Sequence, residues 1–183
     1  MYYTSITYNQ TVKEAIALAL LQLLKNKPIT QISISEIIRL AGVGRSSFYR
    51  NFESKEQVLS DYVQYRYKTY FKSNPVSPSI TNDLDLNRFL YMRFHFIHKH
   101  QELFTILRKN NLLYYIFETL DPEMANALSG TTLNSDYAMA IFSSCSAGII
   151  RQWIDHGFKE SEEEMISILS SISSGLKNNI LLR

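Results

Sequence analysis

Four side chains within six positions could meet a phosphate or a base edge. Arg45 and Tyr49 stand four residues apart, as do Ser46 and Arg50, so on a helix they share one face. Arginine, serine and tyrosine all hydrogen-bond nucleic-acid phosphates and base edges, and no acid interrupts this face before Glu53. Lys55 follows at the start of a further helix, where its ammonium and the free amide groups of a helix N-terminus together suit a phosphate.

The flanking residues position that face. Ser33 with Glu36 three residues on is a capping box, which predicts a short helix from Ile34. Ile34, Ile37, Ile38 and Ala41 give it a single apolar stripe. Gly42 supplies the backbone freedom for a sharp turn, with Val43 as the apolar plug beneath it. The helical period resumes at Arg45, and Phe48 and Phe52 face inward. Ser54 and Gln57 form a second capping box, so another helix begins at once. Two short helices need a support to be stable. Thr11 with Glu14, followed by the stripe Val12, Ala15, Ile16, Ala19, Leu20, Leu23 and Leu24, predicts that support. Residues 1–10 read as a short arm ahead of it.

The run Ala41-Gly42-Val43-Gly44-Arg45-Ser46-Ser47-Phe48-Tyr49-Arg50-Asn51-Phe52 with Ser54-Lys55-Glu56 closely resembles the DNA-binding signature of the tetracycline-repressor (TetR) family. The resemblance implies an all-helical homodimer on a palindromic, double-stranded operator, with a divergent C-terminal domain that senses a ligand or a partner. It implies that Ser33, Gly44, Arg45, Ser46, Ser47, Tyr49, Arg50 and Lys55 lie at the DNA interface. Gly44 stands where the family usually caps the recognition helix with Ser or Thr, and Ser46 where glycine is common. Residues 148–161, from Gly148 through Trp153 and Gly157 to Ser161, resemble the C-terminal segment of a TetR subgroup that includes a regulator of dihydroxyacetone metabolism. No ligand follows from that segment.

Composition agrees. The chain has 183 residues, 45% hydrophobic, with only 6 Gly and 4 Pro, which favours long helices over a sheet. The net charge of +2 is unevenly placed: residues 1–70 carry 9 Lys+Arg against 5 Asp+Glu, so the basic excess lies with the helix-turn-helix. One cysteine, Cys145, excludes an intrachain disulfide and fits a reducing cytoplasm. No long apolar run points to a membrane. The pattern of a G-x-S-x-G elbow, a phosphate loop or a metal array is missing, which points away from an enzyme and from a bound cofactor.

The fold expected is therefore all-α: a three-helix helix-turn-helix domain over 1–53, a connecting helix over 54–72 and a C-terminal regulatory and dimerisation domain over 73–183. Prolines 75 and 78 make 73–79 a linker. Further helices are expected from Asn82 or Asp83 to about 98, over 101–109 and 111–120, from Asp121 to Ser129, over 134–156 with Gly157 as its cap, and from Ser161 onward. In the last two, Ala140, Ser144, Ala147 and Gly148 form a small-residue stripe, and Met165, Leu169, Ile172 and Leu176 a bundle seam. Together they suggest a four-helix interface between two chains. Tyr62, Tyr65, Phe89, Phe94, Tyr114 and Phe117 are candidates to line a pocket for an apolar or aromatic inducer, against the plainer reading that they fill the core. Control through a protein coactivator is the alternative. His95 and His98, with His100 and Glu102 near, invite a metal that no further array supports. Cys145 reads as a small packed residue.

Overall fold

The computed structural model describes residues 2–74, 82–118, 120 and 136–179, with side chains from 9 to 175 except 136 and 138. All regular structure among them is helical: α1 Tyr2–Leu24, α2 Ile34–Ala41, α3 Arg45–Asn51, α4 Lys55–Ser73, α5 Asp83–Lys99, α6 Gln101–Lys109, α7 Asp136–Asp155 and α8 Glu162–Asn179. A helical turn over 113–118 and a 3₁₀ turn at Ile29–Gln31 complete it. The helix expected from Asp121 and the 75–79 part of the linker lie outside the described residues. None of the described helices is long and apolar enough to cross a membrane.

The chain divides into two compact units. The first joins Met1–Arg66 with Ile106–Ile116; the second joins Tyr67–Thr105 with Phe117–Arg183. The division falls within α4. Val58, Leu59 and Val63 of the α4 half in the first unit are at most 1% exposed, so that half is bound into the first core.

In the first unit α1 packs on α2 and α3. Ile16, Leu20 and Leu24 of α1 are buried there with Ile37, Phe48 and Phe52. Residues 2–10 of the arm expected over 1–10 are instead the start of α1, and Thr11 lies inside the helix as no cap. The stretch Tyr-Tyr-Thr-Ser-Ile-Thr-Tyr contains no proline or glycine to stop a helix from extending outward. Lys13 ties α1 to Asp61 of α4 at 3.2 Å.

In the second unit α5 packs on α8, and α7 on α8. Asn82 caps α5 by accepting from the Asp85 amide at 2.9 Å. Gly157, at φ 71°, closes α7, with the Phe158 amide reaching back to the Trp153 carbonyl at 2.9 Å. Ser161 and Glu164 form the capping box expected of α8. Trp153 is 1% exposed and meets Phe94 edge-on with ring centroids 5.6 Å apart.

Candidate nucleic-acid interface

The turn between α2 and α3 follows the sequence closely. The Ser33 hydroxyl accepts from the Glu36 amide at 3.2 Å, and the Glu36 carboxylate accepts from the Ser33 amide at 2.9 Å. Lys27 adds an ion pair to the same carboxylate. That hydrogen bond from Lys27, followed by those from Ser33, lowers the Glu36 carboxyl to about 2. Gly42 takes the left-handed conformation at φ 66° and ψ 29°, and the Val43 amide returns to the Ile38 carbonyl at 3.1 Å. Gly44 caps α3 in extended backbone and contributes no side-chain bond.

α3 then separates two faces. Phe48 and Phe52, at 0% and 2% exposure, lock its inner side into the core with rings 5.9 Å apart. A buried aromatic of this kind holds about 3–5 kcal/mol against truncation to alanine, which keeps the helix from rotating. The outer side presents Arg45, Ser46, Tyr49 and Arg50, all exposed. Arg45 lies over the Tyr49 ring, 5.6 Å from its centroid, and donates to the Tyr49 hydroxyl at 3.4 Å. The contact orients the guanidinium along the face yet is long enough to yield to a stronger acceptor. Ser47 is half-buried, and its carbonyl accepts from the Asn51 side chain at 2.8 Å.

Two of the residues assigned to DNA make hydrogen bonds within the framework. The Ser33 hydroxyl both accepts within its capping box and donates to Glu36 at 2.9 Å. Lys55 was expected to clamp a phosphate; instead its ammonium donates to the carbonyls of Ile29 and Ile32 at 2.7 and 2.8 Å. Two of its three donors are thereby spent on the 3₁₀ turn that leads into Ser33. Lys27, read in the sequence as able to reach phosphate, is bound to Glu36. At the head of α4, Ser54 accepts from the Gln57 amide at 3.1 Å, while Gln57 accepts from Glu53 and not from Ser54.

The other predicted residues are distributed as follows. Tyr62, Tyr65 and Tyr114 belong to the first unit, and Phe89, Phe94 and Phe117 to the second. Tyr65 and Tyr114 are exposed, at 44% and 65%, and so line no interior; Phe89, Phe94 and Phe117 are core residues at 7% or less. On α7, Ala140, Ser144 and Gly148 are exposed and Ala147 half-exposed, an open stripe of small residues. On α8, which packs on α5 and α7, Met165 and Leu169 are buried in their own chain at 5% and 0%. They are therefore not free to face a partner. Ile172 is half-buried, and the Leu176 side chain lies outside the described residues. His95 and His98 do share a face, but both turn to Glu162 of α8, with Nδ1 at 3.1 and 2.9 Å from its carboxylate, and not to Glu102. Among the described residues no group of three His, Cys, Asp or Glu side chains could hold a metal ion. Cys145 is half-buried as a free thiol.

Comparison with known proteins agrees with this geometry. Residues 16–62 match the family described as bacterial regulatory proteins, tetR family, and residues 85–175 match a transcriptional regulator C-terminal region. The chain is 25% identical over 119 residues to the HTH-type dhaKLM operon transcriptional activator DhaS of Lactococcus lactis, covering 61% of this chain and 64% of that protein. The alignment thus spans just under two thirds of that relative's length. The crystal structure of a TetR transcriptional regulator from Streptococcus agalactiae has the same fold, with a TM-score of 0.65 at 19% identity over 94% of this chain and 98% of that one.

Proposed function

The chain belongs to the tetR family of bacterial transcriptional regulators, and from that premise we propose that it binds a palindromic operator as a homodimer and represses transcription from it. The observation that carries this reading is the outer face of α3. Arg45, Ser46, Tyr49 and Arg50 are exposed together on a helix that Phe48 and Phe52 fix in place. Two such helices in successive major grooves, about 34 Å apart, would read two half-sites. In this reading Arg45, Ser46, Ser47 and Tyr49 meet base edges or phosphates, and Arg50 chiefly meets phosphate. Ser33 and Lys55 hold the elements that present them. The small-residue stripe Ala140, Ser144 and Gly148 is the proposed dimer contact. A bound dimer occludes polymerase without further contacts, which favours repression. Control enters through the second unit, by a small molecule or a protein partner, and needs a coupling of only about 1–3 kcal/mol to change affinity 5- to 150-fold.

The similar protein from Lactococcus lactis carries the name of an activator, and that favours a second reading, in which the bound dimer recruits polymerase. The two are separated by one experiment: fluorescence anisotropy on DNA from the chain's own promoter region across a salt series, with a reporter fused to the same DNA. Arg45→Ala should remove the preference for that DNA over unrelated duplex. Reporter output that rises when the protein is deleted supports repression, and output that falls supports activation. Binding that is weak and indifferent to Arg45 would sink both.

A further inference from the structure

Arg93 sits in the middle of α5 at 1% exposure, and its Nε and Nη1 have no hydrogen-bond partner among the described residues. A guanidinium stays charged at any physiological pH. Withdrawing it from water without a counter-charge is among the costliest arrangements a core can hold. Its own helix gives no relief: Phe89, Leu90, Phe96 and Ile97, one turn to either side, are all at most 5% exposed. The acid that α8 brings against α5 is Glu162, and both of its oxygens are taken by His95 and His98. Glu160 meets His156 through Oε1 while its buried Oε2 has no partner among the described residues, and Glu163 and Glu164 are exposed on α8.

The mismatch is confined to one unit. Ser146 of α7 and Ser173 of α8, at 0% and 1% exposure, also have hydroxyls without a partner. Among the described residues, the first unit contains no buried side-chain polar atom left unsatisfied in this way. Native cores satisfy such groups almost completely. Among the described residues the second unit thus leaves a guanidinium, one carboxylate oxygen of Glu160 and two hydroxyls buried without a partner.

We propose that the second unit binds a small organic anion whose carboxylate or phosphate pairs with Arg93, with an apolar body that suits the aromatic surroundings of α5. The planar fork of arginine matches the two oxygens of a carboxylate or phosphate. Phe89, Phe94 and Phe96 make those surroundings apolar and aromatic. The site concerns binding alone, so it stands or falls independently of whether the first unit recognises an operator.

The test uses the full-length protein, dialysed exhaustively and checked by native mass spectrometry. A bound small anion at that step supports the proposal directly. With the protein empty, melting temperatures are measured for the wild type, Arg93→Met and Arg93→Lys, each alone and with benzoate, octanoate, phenyl phosphate, inorganic phosphate or chloride. Empty Arg93→Met should melt higher than the wild type, because an uncompensated buried charge has been replaced by an apolar chain of similar length. The matching anion should raise the wild-type melting temperature by about 5 °C or more at a hundredfold excess over its Kd, and should leave Arg93→Met unmoved. The organic probes against inorganic phosphate decide between an apolar-bodied anion and free phosphate, and benzoate against phenyl phosphate decides the head group. If empty Arg93→Met melts lower than the wild type, the counter-charge is a carboxylate of the chain itself and the proposal is overturned. If the variant is stabilised but no carboxylate or phosphate shifts the wild type more than chloride does, the assigned ligand class is wrong.

Discussion

Replacing Lys55 with methionine separates two roles for that side chain. In the structure its ammonium donates to the carbonyls of Ile29 and Ile32 at 2.7 and 2.8 Å. Both residues are buried, at 8% and 2% exposure. A hydrogen bond from a charged donor contributes about 1.5–3 kcal/mol, so two would bound the loss at about 3–6 kcal/mol. Lys55 is itself half-buried, and water entering its place would recover part of that. The expected net loss is about 2 kcal/mol, or about 10 °C in melting for a unit of this size. Methionine keeps most of the apolar stem, so the change isolates the ammonium. The assay is urea unfolding followed by far-UV circular dichroism, paired with operator binding across a salt series. A strut should lower the unfolding midpoint and weaken binding while the dependence of log affinity on log salt keeps its slope. A phosphate clamp would do the reverse: the slope would fall by about 0.9 with little change in stability. Unchanged stability with the lowered slope refutes the strut.

Other outcomes follow from the same geometry. Gly44→Ser should stabilise the protein by about 0.5–1 kcal/mol in urea unfolding, since it adds an N-cap and removes a flexible residue from the unfolded chain. The backbone at Gly44 is extended at φ −75° and a Cβ there would meet only the Ser46 hydroxyl, at 3.8 Å. The Glu36 carboxyl is lowered from 4.5 to about 2 by Lys27 and Ser33, so its contribution is full above about pH 4.5 and is lost as pH falls towards 2. Glu36→Gln should therefore flatten the dependence of the unfolding midpoint over that interval; an unchanged acid limb would show that other carboxylates govern it. On α7, Ser144→Arg places a long charged side chain in the exposed small-residue stripe. If that stripe is the proposed dimer contact, light scattering should report a dimer for the wild type and a monomer for the variant, with circular dichroism unchanged; a variant dimer would move the interface elsewhere.

The helix-turn-helix was legible in the sequence because its determinants are local. Capping boxes span three residues, the Phe48–Phe52 and Arg45–Tyr49 pairs span four, and Gly42 needs only its own backbone. Each is a short-range rule that draws on residues within a turn or so. The start of α1 was missed for the converse reason: Thr11 and Glu14 form a plausible cap, but a cap is used only if the preceding residues leave the helix. What tertiary structure alone decided lies at long separation. Lys55 finds the carbonyls of Ile29 and Ile32, 26 and 23 residues away, and so supports the turn that presents Ser33. His95 and His98 find Glu162, 67 and 64 residues away, where the sequence had offered Glu102. The spacing of Met165 and Leu169 suggests a helical seam, but a seam does not name the surface it meets, and here both side chains are buried within their own chain, whose last helix packs on α5 and α7. Arg93 shows the limit most sharply. It stands three and four residues from Leu90, Phe89 and Ile97, yet only packing could show that it is fully buried with Nε and Nη1 unpartnered among the described residues. Periodicity fixes which way a side chain points; the assembled fold fixes what it meets.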